Sequence, residues 1–130
     1  MSSDNIKGLA LACSWTFGEN PVQPEEARLL GLLERIRRTG SIASAAREGG
    51  ISYRNAWGML ARWEANFGHP LLIPARGLGT RLTPFATRLL ELDVQIREQL
   101  APQLAAAAEQ MAQGLAEAVA PARAVPRIHA

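Results

Sequence analysis

Ser52, Tyr53, Arg54 and Asn55 set a hydroxyl, a phenol, a guanidinium and a carboxamide in one unbroken run. An arginine can give two hydrogen bonds to a guanine edge and an asparagine can bond adenine through two atoms, each pair worth about 1–3 kcal/mol of discrimination. A tyrosine can pack on a sugar or a thymine methyl, or donate to a phosphate. This run sits inside a block of positive charge. Residues 35–88 carry nine arginines, no lysine and two glutamates, a net +7, although the whole chain carries only +2. Residues 1–34 have two basic against five acidic side chains, and residues 89–130 have three against five. The guanidinium fork suits phosphates and guanine edges, so a polyanion is the first partner to consider, with a solvated basic face as the alternative.

Other chemistries lack their residues. Cys13 is the sole cysteine and His69 and His129 are the two histidines, which leaves no disulfide within one chain and no cysteine-rich zinc site. No glycine-rich phosphate loop, cysteine–histidine or serine–histidine–acid set, or paired carboxylate site is visible, so an enzyme is not expected. Neither is a cofactor. Apolar residues make up 48% and charged ones 20% of 130 residues, the balance of one globular domain or a head with one extra element. No apolar run approaches the roughly 18 residues of a membrane span, and the start MSSDNIKG lacks a signal-peptide pattern. A cytoplasmic location without membrane attachment follows as the expectation.

The elements that must hold the run can be placed from periodicity. Leu9, Leu11, Cys13, Trp15 and Phe17 alternate with smaller residues, which predicts a half-buried strand over 9–17 with Cys13 buried. From Pro24 to Arg38, Leu29, Leu32, Leu33 and Ile36 recur at helical spacing. Gly40 supplies a left-handed exit, and Ser41 is placed to cap a short helix through Arg47 with Ile42, Ala45 and Ala46 inward. After the turn Glu48-Gly49-Gly50, Ser52 caps a third helix to about Phe67, with Ala56, Leu60, Trp63 and Phe67 on its inner stripe. Trp15, Trp57 and Trp63 are read as core or dimer residues. Leu71–Ile73 and Arg81–Leu82, around the tip 74–80, predict a β-hairpin. Thr83-Pro84 opens a long helix whose stripe Phe85, Leu89, Leu92, Ile96, Leu100 and Leu104 continues through Met111, Leu115 and Ala118. Pro102 inside it predicts a kink or a break.

Helix, helix, glycine turn, helix and basic hairpin is the plan of a winged helix-turn-helix, in which the second helix of the pair enters the major groove and the wing meets phosphate. Gly40-Ser41-Ile42, Ala45-Ala46, the run Gly50 to Trp57, and Arg81-Leu82-Thr83-Pro84 resemble the N-terminal DNA-binding domain of ModE regulators. More broadly, they are similar to the winged head and linker helix of LysR-type regulators. The resemblance spans roughly residues 20–100 and is most specific over 40–57. It implies a dimeric bacterial transcription regulator, and in ModE-like proteins an N-terminal strand joins the wing, a place for residues 9–17. LysR heads usually have a glutamine-proline pair where Tyr53-Arg54 stands.

The expected fold class is therefore mainly α, a winged helix-turn-helix with an N-terminal strand, a β-hairpin wing and a long dimerisation helix. The expected domains are 1–83 for the head, 84–120 for the helix and 121–130 for a tail, the start of a missing effector domain. Ser41, Ser52, Tyr53, Arg54, Asn55, Arg62, Arg76 and Arg81 are the expected DNA contacts, with Arg62 toward the backbone and Arg76 and Arg81 toward the backbone or the minor groove. Phe85, Leu89, Leu92, Ile96, Leu100 and Leu104 are the expected dimer contacts. A two-fold dimer would bind an interrupted inverted repeat in double-stranded DNA. The competing expectation is a protein-interaction or assembly module in which the same arginines are only solvated.

Overall fold

The computed structural model describes residues 8–18, 25–75, 77 and 79–122. Among these residues four helices and one hairpin follow in the order α1 (Glu25–Thr39), α2 (Ile42–Glu48), α3 (Tyr53–Phe67), β1 (Leu72–Ala75), β2 (Gly79–Leu82) and α4 (Pro84–Ala122). Each boundary has a local cause. Glu25 and Glu26 open α1 and Arg37 and Arg38 close it, matching the helix dipole at both ends. Gly40 follows at φ +73° and its N–H donates to Ile36 O, the left-handed exit that an L side chain resists. Ser41 Oγ accepts from the Ser44 N–H at 3.1 Å, and Ser52 Oγ accepts from the Asn55 N–H at 3.0 Å. These are the expected N-caps, and each replaces a hydrogen bond the first turn would otherwise leave open.

Two compact units divide the chain, one covering Ser14–Gln95 and the other joining the segment that ends at Cys13 to the chain from Ile96 onward. In the first unit α1, α2 and α3 enclose Leu29, Leu32, Leu33, Ile36, Leu60 and Leu71, all fully buried. Ala45, Ala46 and Ala56 are buried with them, and their small side chains let three helices meet closely. Thr83 fastens the end of the wing, because its hydroxyl donates to Pro70 O and accepts from the Ala86 N–H while its own N–H reaches Leu71 O. The Glu64 carboxylate takes the Leu71 N–H at 2.8 Å and ties the residue before β1 to α3.

The predicted N-terminal strand is corrected. Residues 9–17 belong to no sheet, and among the described residues β1 pairs only with β2, antiparallel, with Leu72 opposite Leu82 and Ala75 opposite Gly79. The period-two pattern is nevertheless used: Cys13, Trp15 and Phe17 are half-buried and Ser14 and Thr16 exposed. The Phe17 N–H and the Cys13 carbonyl bond side chains rather than a ladder. The Phe17 N–H donates to the Glu26 carboxylate at 3.0 Å, the Trp15 indole donates to Asp93 at 2.7 Å, and the Phe17 ring lies against Trp63 and Phe67. Cys13, in the other unit, is half-buried rather than buried, and its carbonyl accepts from Arg97 at 3.1 Å. Helix α4 continues unbroken through Pro102. The tail from residue 123 lies outside the described residues.

Candidate nucleic-acid interface

Helix α3 buries Ala56, Met59, Leu60 and Trp63 and turns the opposite side to solvent. At about 100° per residue, Arg54, Gly58, Ala61 and Ala65 run down the middle of the outer face. Tyr53 and Trp57 form one border of that face, and Asn55 and Arg62 the other. The predicted contacts Tyr53, Arg54 and Asn55 are all exposed, as is the Ser52 that caps them. The Arg54 side chain has no ion pair or hydrogen bond with any other described residue, so its five donors point to solvent. Ser41 and Ser52 both spend their hydroxyls on helix caps, and Ser41 differs from Ser52 in being only partly exposed.

The arginine block is divided by its local partners. Arg62 pairs with Glu25 at 2.5 Å, and so begins from an intramolecular contact rather than as an open phosphate ligand. Arg37 pairs with Glu34, Arg38 with Glu48, and Arg88 with Glu91 at 3.3 Å. The hydrogen bond from Arg38 holds the Glu48 carboxyl below the usual carboxylate range. These pairs lie at the surface, a setting in which an ion pair contributes about 0–1 kcal/mol and can be exchanged for another anion. Arg54 and Arg81 have no acidic partner among the described residues, and Arg81 is exposed on β2 opposite Ile73. Arg76, expected at the wing, lies outside the described residues.

The wing is set by a close approach. The Thr80 N–H donates to Gly40 O at 2.9 Å, which joins β2 to the corner between α1 and α2. Gly79, at φ +86°, passes so near that corner that a Cβ there would lie 2.2 Å from Gly40 O. The glycine-rich tip marks the turn in the sequence, but not which glycine bears this contact.

The stripe on α4 divides between the units and is corrected in part. Leu89 packs on the core of the head, and Phe85 lies against Phe67 and stacks on His69, with ring centres 5.4 and 4.9 Å apart. Ala86 and Leu90, not expected inside, are buried there. Leu104 faces a groove shared with Leu9 and Leu11, while Ile96 and Leu100 are half-buried. The apolar side chains that α4 leaves open are Leu92, Val94, Met111, Leu115 and Val119, with Phe85 at the margin.

Trp57 is the clearest revision. Of the two places its residue type suggests, the core and a dimer seam, the structure overturns the core: it is 47% exposed beside Tyr53, 53% exposed, with ring centres 6.1 Å apart and planes nearly perpendicular. The signal lies in its phase, which sets it outside the stripe Ala56, Leu60, Trp63 and Phe67. Trp63 does belong to the core, with its indole N–H buried and unpartnered among the described residues. Gly58 is a second residue that the sequence pattern does not single out. A Cβ there would meet only Arg62 Nη1 at 3.6 Å, so no contact within the described chain requires a glycine in mid-helix.

Comparison with known proteins bears on this geometry. The family described as bacterial regulatory helix-turn-helix protein, lysR family, matches residues 27–87, the stretch from early α1 to the first turn of α4. The Molybdenum transport protein ModE of Herbaspirillum seropedicae is 43% identical over 70 residues, which is 50% of this chain and 26% of that protein. The Transcriptional regulator ModE of Haemophilus influenzae is 37% identical over 75 residues, 55% of this chain and 28% of that protein. The chain thus spans about a quarter of the length of the curated relatives it matches. A solved complex of the CbnR DNA-binding domain with DNA is similar at a TM-score of 0.49 and 25% identity, covering 58% of this chain and 86% of that one.

Proposed function

Because residues 27–87 carry the helix-turn-helix of the lysR family, with ModE regulators as relatives, we infer that this chain is a sequence-specific DNA-binding module of a bacterial transcription regulator. The observation that carries this reading is the outer face of α3, where Arg54, without a partner among the described residues, opens a strip of small residues on a helix fixed by its Ser52 cap. In the major groove Arg54 and Asn55 reach base edges, while Arg81 on the wing meets the backbone. Double-stranded DNA is the partner and the cytoplasm the place of action. No helix of the described residues is long and apolar enough to cross a membrane.

A homodimer through α4 completes the proposal. Met111, Leu115 and Val119 leave an apolar surface that a second copy of the helix would cover. Two heads then face successive major grooves, and the operator is an interrupted inverted repeat with half-site centres about 34–36 Å or a multiple apart.

Selection of duplexes from a random pool tests the reading directly, and two substitutions separate the roles. Arg54→Ala should relax preference at one base step at a cost of about 1–3 kcal/mol, whereas Arg81→Ala should weaken all sequences alike. Identical profiles for the two variants would contradict the assignment. The same α4 surface also favours a second reading, an assembly module, which would be supported by dimerisation without enrichment of any duplex.

Gly58 offers an independent check. Glycine in a helix interior costs about 0.5–1 kcal/mol relative to alanine, so Gly58→Ala should raise the melting temperature while lowering affinity for the selected duplex. A variant that melts higher and binds unchanged would remove close groove approach as the reason for this glycine.

A further inference from the structure

We propose that Tyr53 and Trp57 form an apolar wall that reads thymine 5-methyl groups in the major groove, making Trp57 a specificity-determining residue. This rests on the reading of α3 as the groove-entering helix and deepens it. Two large rings stand side by side on the exposed side of a helix that buries Ala56, Met59, Leu60 and Trp63. Their exposure places them among the few large apolar groups the head leaves in water. One turn apart, at i and i+4, they contact each other edge to face, so each restrains the other before any partner arrives.

Their neighbours identify the occupant. Arg54 lies next to the wall on the same exposed face, and Gly58, Ala61 and Ala65 beyond it are small enough to let that face approach a groove floor. A protein partner would be matched by a broad apolar patch. Here the two rings border a strip that begins with a guanidinium, holds no side chain larger than a methyl after it, and has Asn55 and Arg62 along its far edge. Among the four bases only thymine presents a methyl group in the major groove, and apolar contact with it is a known mode of direct readout. The wall and Arg54 then read complementary features, a methyl group on one side and hydrogen-bonding edges in the middle.

The test uses the full chain and a duplex it has itself selected. Replacing thymines one at a time by deoxyuridine removes a single methyl and leaves every hydrogen-bonding edge in place. Wild type should bind about fourfold more weakly for each methyl that the wall covers. Trp57→Ala should bind the thymine and deoxyuridine duplexes equally at those positions, and Trp57→Phe should retain part of the difference. Equal wild-type affinity for both duplexes at every position would overturn the proposal. So would a Trp57→Ala protein that still discriminates, or one that stays folded but loses dimerisation, since the ring would then serve a protein contact. Failure to select any duplex would instead strike the DNA-binding reading beneath it.

Discussion

Raising monovalent salt from about 50 to about 200 mM should loosen binding to the selected duplex by about a thousandfold, if two heads together neutralise about six phosphates. Each neutralised phosphate releases condensed counterions, so log affinity falls against log salt with a slope of about −0.9 per contact, or about −5 here. The structure supplies the cations in two grades. Arg54 and Arg81 have no acidic partner among the described residues and can engage at once. Arg37, Arg38, Arg62 and Arg88 begin paired with Glu34, Glu48, Glu25 and Glu91, and surface pairs of this kind are weak enough to exchange a carboxylate for a phosphate. Fluorescence anisotropy across a salt series measures the slope. A value shallower than about −2 would mean that most of the arginine block never meets the duplex.

Gly79→Ala should cost the head about 2–4 kcal/mol, more than any other glycine-to-alanine change in the wing or its docking corner. Two effects combine there. A φ of +86° strains any L residue by about 1–2 kcal/mol, and the new methyl would collide with Gly40 O, whose hydrogen bond from Thr80 anchors β2. A backbone oxygen cannot rotate aside as a long side chain can. Gly40→Ala is the control, since its φ of +73° carries similar strain but its Cβ would meet nothing within 4 Å. For a domain of this size 1 kcal/mol shifts the midpoint by about 4–8 °C, so Gly79→Ala should melt at least about 10 °C lower than wild type and clearly below Gly40→Ala. Equal melting temperatures for the two variants would show that strain alone matters and that the wing does not rely on this close approach.

Much of the candidate interface is legible in the sequence because its determinants are local. Ser41 and Ser52 announce helix starts by offering a hydroxyl to the N–H three residues on, and both do so. The stripe of Leu29, Leu32, Leu33 and Ile36 fixes which side of α1 is buried, and with α3 capped at Ser52 the exposure of Arg54 and Asn55 follows from helical spacing. What the sequence misleads on depends on contacts across the chain. Period-two alternation over 9–17 is a statement about side chains and is silent on what receives the backbone N–H groups, which is why Glu26 can stand where a neighbouring strand is expected. Trp57 is misplaced in the core when residue type is weighed above phase, because phase alone already sets it beside Tyr53.

The chain's own sequence determined the helices, their caps, the corner at Gly40 and the concentration of arginine between residues 35 and 88, since each follows from neighbours within a turn or two. Tertiary structure alone decided which distant glutamate Arg62 meets, which leucines of α4 serve the head, and which glycine the wing requires. Those outcomes depend on distances between residues far apart in sequence, such as Arg62 and Glu25 or Gly79 and Gly40, and no local pattern encodes a distance of that kind.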